Sequence, residues 1–131
     1  MIVLDASAVV EWLLGLPLAD EVERRLAATG ETRHAPYLLQ VEVAQAVRRY
    51  VRAGDVAPAR GAQALDDLAD LDGVLYPHHP LLDAMWRLRD NLTMYDAAYI
   101  ALALSLDAPL LTLDARMAAA PGQGALIDLV A

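Results

Sequence analysis

The sequence predicts an α/β fold with a short, mainly parallel central sheet flanked by helices. Two observations carry that expectation. Apolar runs of three to five residues alternate with segments of helical periodicity, the pattern that builds parallel sheets. The 131 residues also contain no linker and no internal repeat, and that length suits one domain over residues 1–131.

Ile2-Val3-Leu4 reads as a buried strand ended by Asp5. Ser7 opens a helix carrying Val9, Val10, Trp12, Leu13 and Leu14, punctuated by Gly15 and Pro17. A second helix is expected from Leu18 to Ala28, closed by Gly30. Pro36 introduces a long helix over Tyr37 to Ala53, with Gly54 as its stop. Residues 56–71 form another, polar on one side through Asp66, Asp67 and Asp70. Gly73-Val74-Leu75-Tyr76 is strand-like and stops at Pro77. A helix is expected from Pro80 to Asn91, and Thr93 opens a very apolar one through Leu106. Asp107-Ala108-Pro109 turns the chain into a strand, Leu110 to Leu113, ending at Asp114. A short helix and a last strand, Ala125 to Leu129, follow.

Composition removes whole classes of chemistry. Cysteine is absent, which excludes disulfides, thiol catalysis and thiolate-metal sites, and fits a reducing cytoplasm. All ten basic residues are arginine, so Schiff-base enzymes, pyridoxal enzymes and P-loop NTPases lack their lysine. The N-terminus has no basic region and meets Asp5 at once, unlike a signal peptide. The apolar stretch Ala97–Leu106 is far short of the ~20 residues that span a bilayer. A soluble protein without a membrane partner is expected.

Most of the eighteen acids lie among polar helix positions and read as solvated faces. Four interrupt apolar surroundings instead. Asp5 follows a strand and suits a helix cap. Glu42 edges the apolar face of its helix, where a rim ion pair with Arg49 would also account for it. Asp96 stands third after Thr93, the capping-box spacing, at the start of a buried helix. Asp114 ends a strand and suits a cap as well. Each acid alone has a structural explanation; the set has a different one. In a parallel sheet the strand ends converge on a crevice outside their carboxyl termini, and Asp5 and Asp114 sit at such ends. Four carboxylates gathered there repel unless a cation binds or their pKa values rise. Oxygen-only ligands in an open cleft suit Mg²⁺ or Mn²⁺.

Four segments, Ile2-Val3-Leu4-Asp5-Ala6-Ser7, Leu39-Gln40-Val41-Glu42-Val43, Thr93 to Ala103 and Leu110-Leu111-Thr112-Leu113-Asp114, resemble in order the motifs of PIN-domain proteins. Length and layout resemble the VapC-type toxins of bacterial toxin–antitoxin pairs, over essentially the whole chain. The most specific stretch is Tyr95-Asp96-Ala97-Ala98-Tyr99-Ile100-Ala101-Leu102-Ala103. The resemblance implies a PIN-like fold and a Mg²⁺- or Mn²⁺-dependent endoribonuclease with Asp5, Glu42, Asp96 and Asp114 as its acidic, metal-holding quartet. Ser7 and Thr112 match the hydroxyl positions that support the acids. A homodimer and a cognate antitoxin covering the site are implied too.

The formal charge of −8 opposes RNA binding, since phosphate contacts come from basic residues. Two divalent ions would offset four of those charges. Arg48, Arg49 and Arg52 share the helix of Glu42, and Arg116 follows Asp114; Arg49 and Arg116 are the candidate RNA contacts. Receiver domains and haloacid-dehalogenase-type phosphatases gather acids similarly but need a lysine. A metal-independent ribonuclease would need histidines, and His34, His78 and His79 read as ordinary surface residues. The remaining alternative is an acidic protein-binding module with little nuclease activity. The Trp12, Leu13, Leu14, Leu16 cluster would serve either as a partner groove or as core.

Overall fold

A computed structural model describes residues 1–131, apart from the side chain of Thr29. Five parallel strands form the sheet in the order β3-β2-β1-β4-β5. They are β1 (Ile2–Leu4), β2 (Arg33–Pro36), β3 (Val74–Tyr76), β4 (Leu110–Thr112) and β5 (Ile127–Leu129). All three residues of β1 and all three of β4 are buried, so both faces of the sheet centre are covered. The helices are α1 (Ala6–Leu13), α2 (Ala19–Thr29), α3 (Leu38–Arg52), α4 (Pro58–Ala69), α5 (Leu82–Arg87), α6 (Met94–Leu106) and α7 (Ala115–Ala119).

Helix α6 packs across β2, β1 and β4, backed by α5. Its seven residues Ala97–Ala103 are all buried, and four alanines among them let it approach the sheet closely. Helices α1 and α3 reach the sheet at β4 and β2 and pack on one another and on α4. Gly61 permits the last contact, because a Cβ there would lie 2.7 Å from Val51 Cγ2. Trp12, Leu13, Leu14 and Leu16 pack against the core, and the Arg33 guanidinium covers Trp12 at 4.9 Å from the ring centre.

The strand order reverses between β1 and β4: from β1 the chain proceeds outward to β2 and β3, then returns to β1's other side with β4 and β5. Such a switch point leaves a crevice at the carboxyl ends of the two strands.

Strand β2 is absent from the sequence-based expectation, which saw only a helix start at Pro36. Arg-His-Ala-Pro has no apolar run; its extended form comes from pairing with β1 on one side and β3 on the other. Pro36 stands last in the strand. The expected surface position of His34 is wrong for the same reason. His34 is buried, bonded through Nε2 to Thr32 Oγ1 (2.7 Å) and through Nδ1 to Tyr76 Oη (2.7 Å). His78 is half-buried and its Nε2 accepts from Leu38 N at 2.9 Å, fixing the start of α3; His79 is exposed, as expected. The helix expected over 80–91 is shorter: a 3₁₀ turn over His79–Leu81 precedes α5, and tight turns after Leu88 lead into α6.

Candidate active site

Asp5 leaves the end of β1 with its side chain 3% exposed. Its Oδ1 accepts from Ala8 N (3.0 Å) and Ser7 Oγ (2.7 Å), and its Oδ2 from Thr112 Oγ1 (2.5 Å). The cap expected of Asp5 is therefore formed, but it uses one oxygen only. Ser7 Oγ also accepts from Leu113 N (2.9 Å), and Thr112 Oγ1 from Asp114 N (2.9 Å). Each hydroxyl has one proton, and both protons point at Asp5. Two hydroxyls thus clamp the carboxylate between β1 and β4.

Asp114 caps α7, its Oδ1 accepting from Arg116 N (2.9 Å) and Met117 N (3.2 Å). Asp96 lies in the first turn of α6, where Thr93 Oγ1 accepts from Asp96 N at 3.2 Å. Glu42 is half-buried on α3 and accepts at Oε1 from the Tyr99 hydroxyl, 2.6 Å away.

These acids line one open cleft of about 690 Å³, with Ser7, Glu11, Gln45, Tyr50, Tyr95 and Tyr99 also at its walls. Arg49 and Arg116 line it too. Arg48 faces a shallow groove that adjoins the cleft at Val41 and Gln45, and Arg52 is exposed and lines neither. Thr112 lies beneath the floor, fully buried.

Charge in the cleft is poorly compensated. Among the described residues the only ion pair to the four acids joins Arg116 Nε to Asp114 Oδ1 at 3.9 Å, and Arg116 is almost fully solvated. Burial pushes the Asp5 carboxyl above its ordinary range and the Asp114 charge adds to the rise, against the opposing hydrogen bonds from Thr112, Ser7 and Ala8. Burial and the Asp114 charge push Asp96 up as well, against Thr93 and Arg116. Burial and Glu42 hold the Tyr99 phenol protonated far above its ordinary range.

The donor set consists of hard carboxylate oxygens, which fits a small divalent cation. Among the described residues no three acids or imidazoles already close into a cage. Mg²⁺ needs none, since it keeps several waters and is held by one or two carboxylates together with substrate phosphates.

The PIN-domain family profile matches residues 2–123. The chain belongs to the PIN-domain family, in its VapC branch. Ribonuclease VapC1 of Mycobacterium tuberculosis is 46% identical over 129 residues, covering 98% of this chain and 96% of that protein. Ribonuclease VapC12 of the same organism is 41% identical over 131 residues, covering all of both chains. VapBC2 from Rickettsia felis, whose crystal structure holds a DNA fragment from its promoter, has a chain with the same fold: TM-score 0.71, 14% identity, full coverage of both chains.

Sequence reasoning on this PIN domain gave no role to Tyr99 or Glu11. Tyr99 stands one turn after Asp96, on the same helix face, which was the available signal. Glu11 lies one turn after Ser7, but its Oε1 accepts from Leu18 N at 2.7 Å and serves the start of α2.

Proposed function

We propose that this PIN domain is a divalent-metal-dependent endoribonuclease that acts as the toxin of a toxin–antitoxin pair, hydrolysing RNA phosphodiester bonds in the acidic cleft. One observation carries the proposal. Asp5, Glu42, Asp96 and Asp114 come from four distant segments and line one cleft with almost no cationic partner. Such a charge set costs stability unless something positive binds it. The names of the mycobacterial relatives support the ribonuclease reading, and the VapBC assembly from Rickettsia felis supports an antitoxin partner.

Asp5, Glu42, Asp96 and Asp114 would hold Mg²⁺ or Mn²⁺. Such an ion would supply an activated water and neutralise charge on the phosphate. The chain's own residues do the rest. Ser7 and Thr112 keep Asp5 in one orientation, and Tyr99 does the same for Glu42. Arg49 and Arg116 line the cleft walls and would meet the phosphates of an RNA strand there. We further propose a homodimer, a cognate antitoxin over the cleft, and a cytoplasmic location; among the described residues no helix is long and apolar enough to cross a membrane.

The test is cleavage of a total cellular RNA pool by the purified protein, with Mg²⁺, with Mn²⁺ and with excess EDTA. Cleavage with either ion and none in EDTA is expected. Robust cleavage in EDTA would overturn the metal mechanism, and no cleavage in any condition would favour a protein-binding module.

A further inference from the structure

The Tyr99 hydroxyl is the one polar atom of a residue that is otherwise core. The residue is 1% exposed and lies inside the seven-residue buried run of α6. Its hydroxyl nevertheless emerges at the cleft that Asp5 and Asp96 also line, bonded to Glu42. The phenol has one proton, and it is directed at the carboxylate. At 2.6 Å from Oε1 it holds one of the two oxygens Glu42 could offer.

Resting on the reading of the cleft as a divalent-cation site, we infer that Tyr99 is a positioning residue that sets ion preference. With one lone pair of Oε1 taken by the phenol, chelation of a single cation through both Glu42 oxygens is disfavoured, and Oε2 is the oxygen left free. Asp5 is likewise limited to one contact, since Oδ1 accepts from both Ser7 and Ala8 while Oδ2 accepts only from Thr112 and keeps a lone pair. Carboxylates restrained in this way suit Mg²⁺ or Mn²⁺, which accept one oxygen from each of few carboxylates and keep water in the remaining positions. They disfavour Ca²⁺, a larger ion that gathers six to eight oxygens and often takes both from one carboxylate. Tyr99 acts through Glu42 and need not touch the ion itself.

The experiment measures binding of Mn²⁺ and of Ca²⁺, each alone, by calorimetry and by melting temperature. Three proteins are compared: the parent, Tyr99→Phe and Tyr76→Phe. The last loses another inward-facing phenol bond, to His34, outside the cleft. The parent should prefer Mn²⁺. Tyr99→Phe should narrow that preference by about tenfold, the low end of what partners behind a metal ligand contribute, and Tyr76→Phe should leave it alone. Glu42→Asp, whose shorter side chain withdraws from the phenol, should narrow it too and serves if Tyr99→Phe folds poorly. An unchanged Mn²⁺ to Ca²⁺ ratio in Tyr99→Phe and Glu42→Asp overturns the inference while leaving the cation site standing. A parent that responds to neither ion removes the cation site, and the inference with it.

Discussion

At the carboxyl ends of β1 and β4, Asp5, Ser7 and Thr112 form one polar cluster; across β2 and β3, Thr32, His34 and Tyr76 form another. Hydrogen bonding does not distinguish them. Among the described residues no buried side-chain nitrogen or oxygen lacks a partner. Charge does. Burial lowers the His34 pKa, so its ring stays neutral and the cluster is a closed arrangement of uncharged groups. Burial raises the Asp5 carboxyl, yet other acids share its cleft and, among the described residues, no arginine forms an ion pair with it. A buried cluster whose hydrogen bonds are complete but whose charge is not is unfinished without a ligand.

The largest expected effect tests what the charged cluster is for. Glu42→Gln should lower RNA cleavage by at least about a hundredfold, the scale of losing a group that acts in the transition state. Its melting temperature in EDTA should stay at or above that of the parent, because a repelling charge has gone. Full activity in this variant would reduce Glu42 to a surface acid beside Arg49.

Next comes the response to metal. Asp96→Asn should melt at or above the parent in EDTA but gain less on adding Mn²⁺. For the parent, an ion at a hundred times its Kd adds about 2.7 kcal/mol. Equal gains in the two proteins would make Asp96 only the helix-capping acid suggested by Thr93.

Thr112→Val tests the clamp between β1 and β4. It keeps the shape but removes the donor to Asp5 and the acceptor for Asp114 N. A loss of about 1–3 kcal/mol in denaturant unfolding is expected, since a buried carboxylate oxygen and a part-buried N–H lose their partner. No loss would show that water replaces the hydroxyl.

The smallest effect separates the clusters by the sign of their pH dependence. His34 has a lowered folded pKa, so below about pH 6.5 the unfolded chain binds a proton that the native chain refuses, and stability falls with pH. Asp5 and Asp96 have raised folded pKa values, so the metal-free native chain binds the extra protons and these groups favour folding as pH falls through those raised values. Either contribution is at most about 1.4 kcal/mol per pH unit per group. In urea unfolding at pH 7.5 and 5.5, His34→Gln should remove the loss on acidification and Asp96→Asn should remove part of the gain. Parallel profiles in both variants would break the contrast.

The parts legible in the sequence are those whose signal is local. Ile2-Val3-Leu4 followed by Asp5, and Leu110 to Thr112 shortly before Asp114, each announce a strand and the acid beyond its end. Thr93 and Asp96 announce the start of α6 by spacing alone. What escaped notice depends on distant partners. Strand β2 owes its form to its two neighbours, and His34 looks like a surface residue until Tyr76 is placed beside it. Tyr99 reads as one more apolar residue because Glu42 is 57 positions away. Side-chain convergence across such separations leaves no periodic trace.

The clamp on Asp5 also has a consequence for timing during synthesis. Thr112 reaches Asp5 across 107 positions, and β4 pairs directly with β1. A nascent chain on the ribosome holds Asp5 from the beginning, yet the carboxylate has no second wall until residue 112 has emerged and docked. Contacts of such long range form late, after the loop-closure entropy has been met. The cleft is therefore incomplete for most of translation, and an interrupted chain ending before β4 lacks the Thr112 half of the clamp on Asp5.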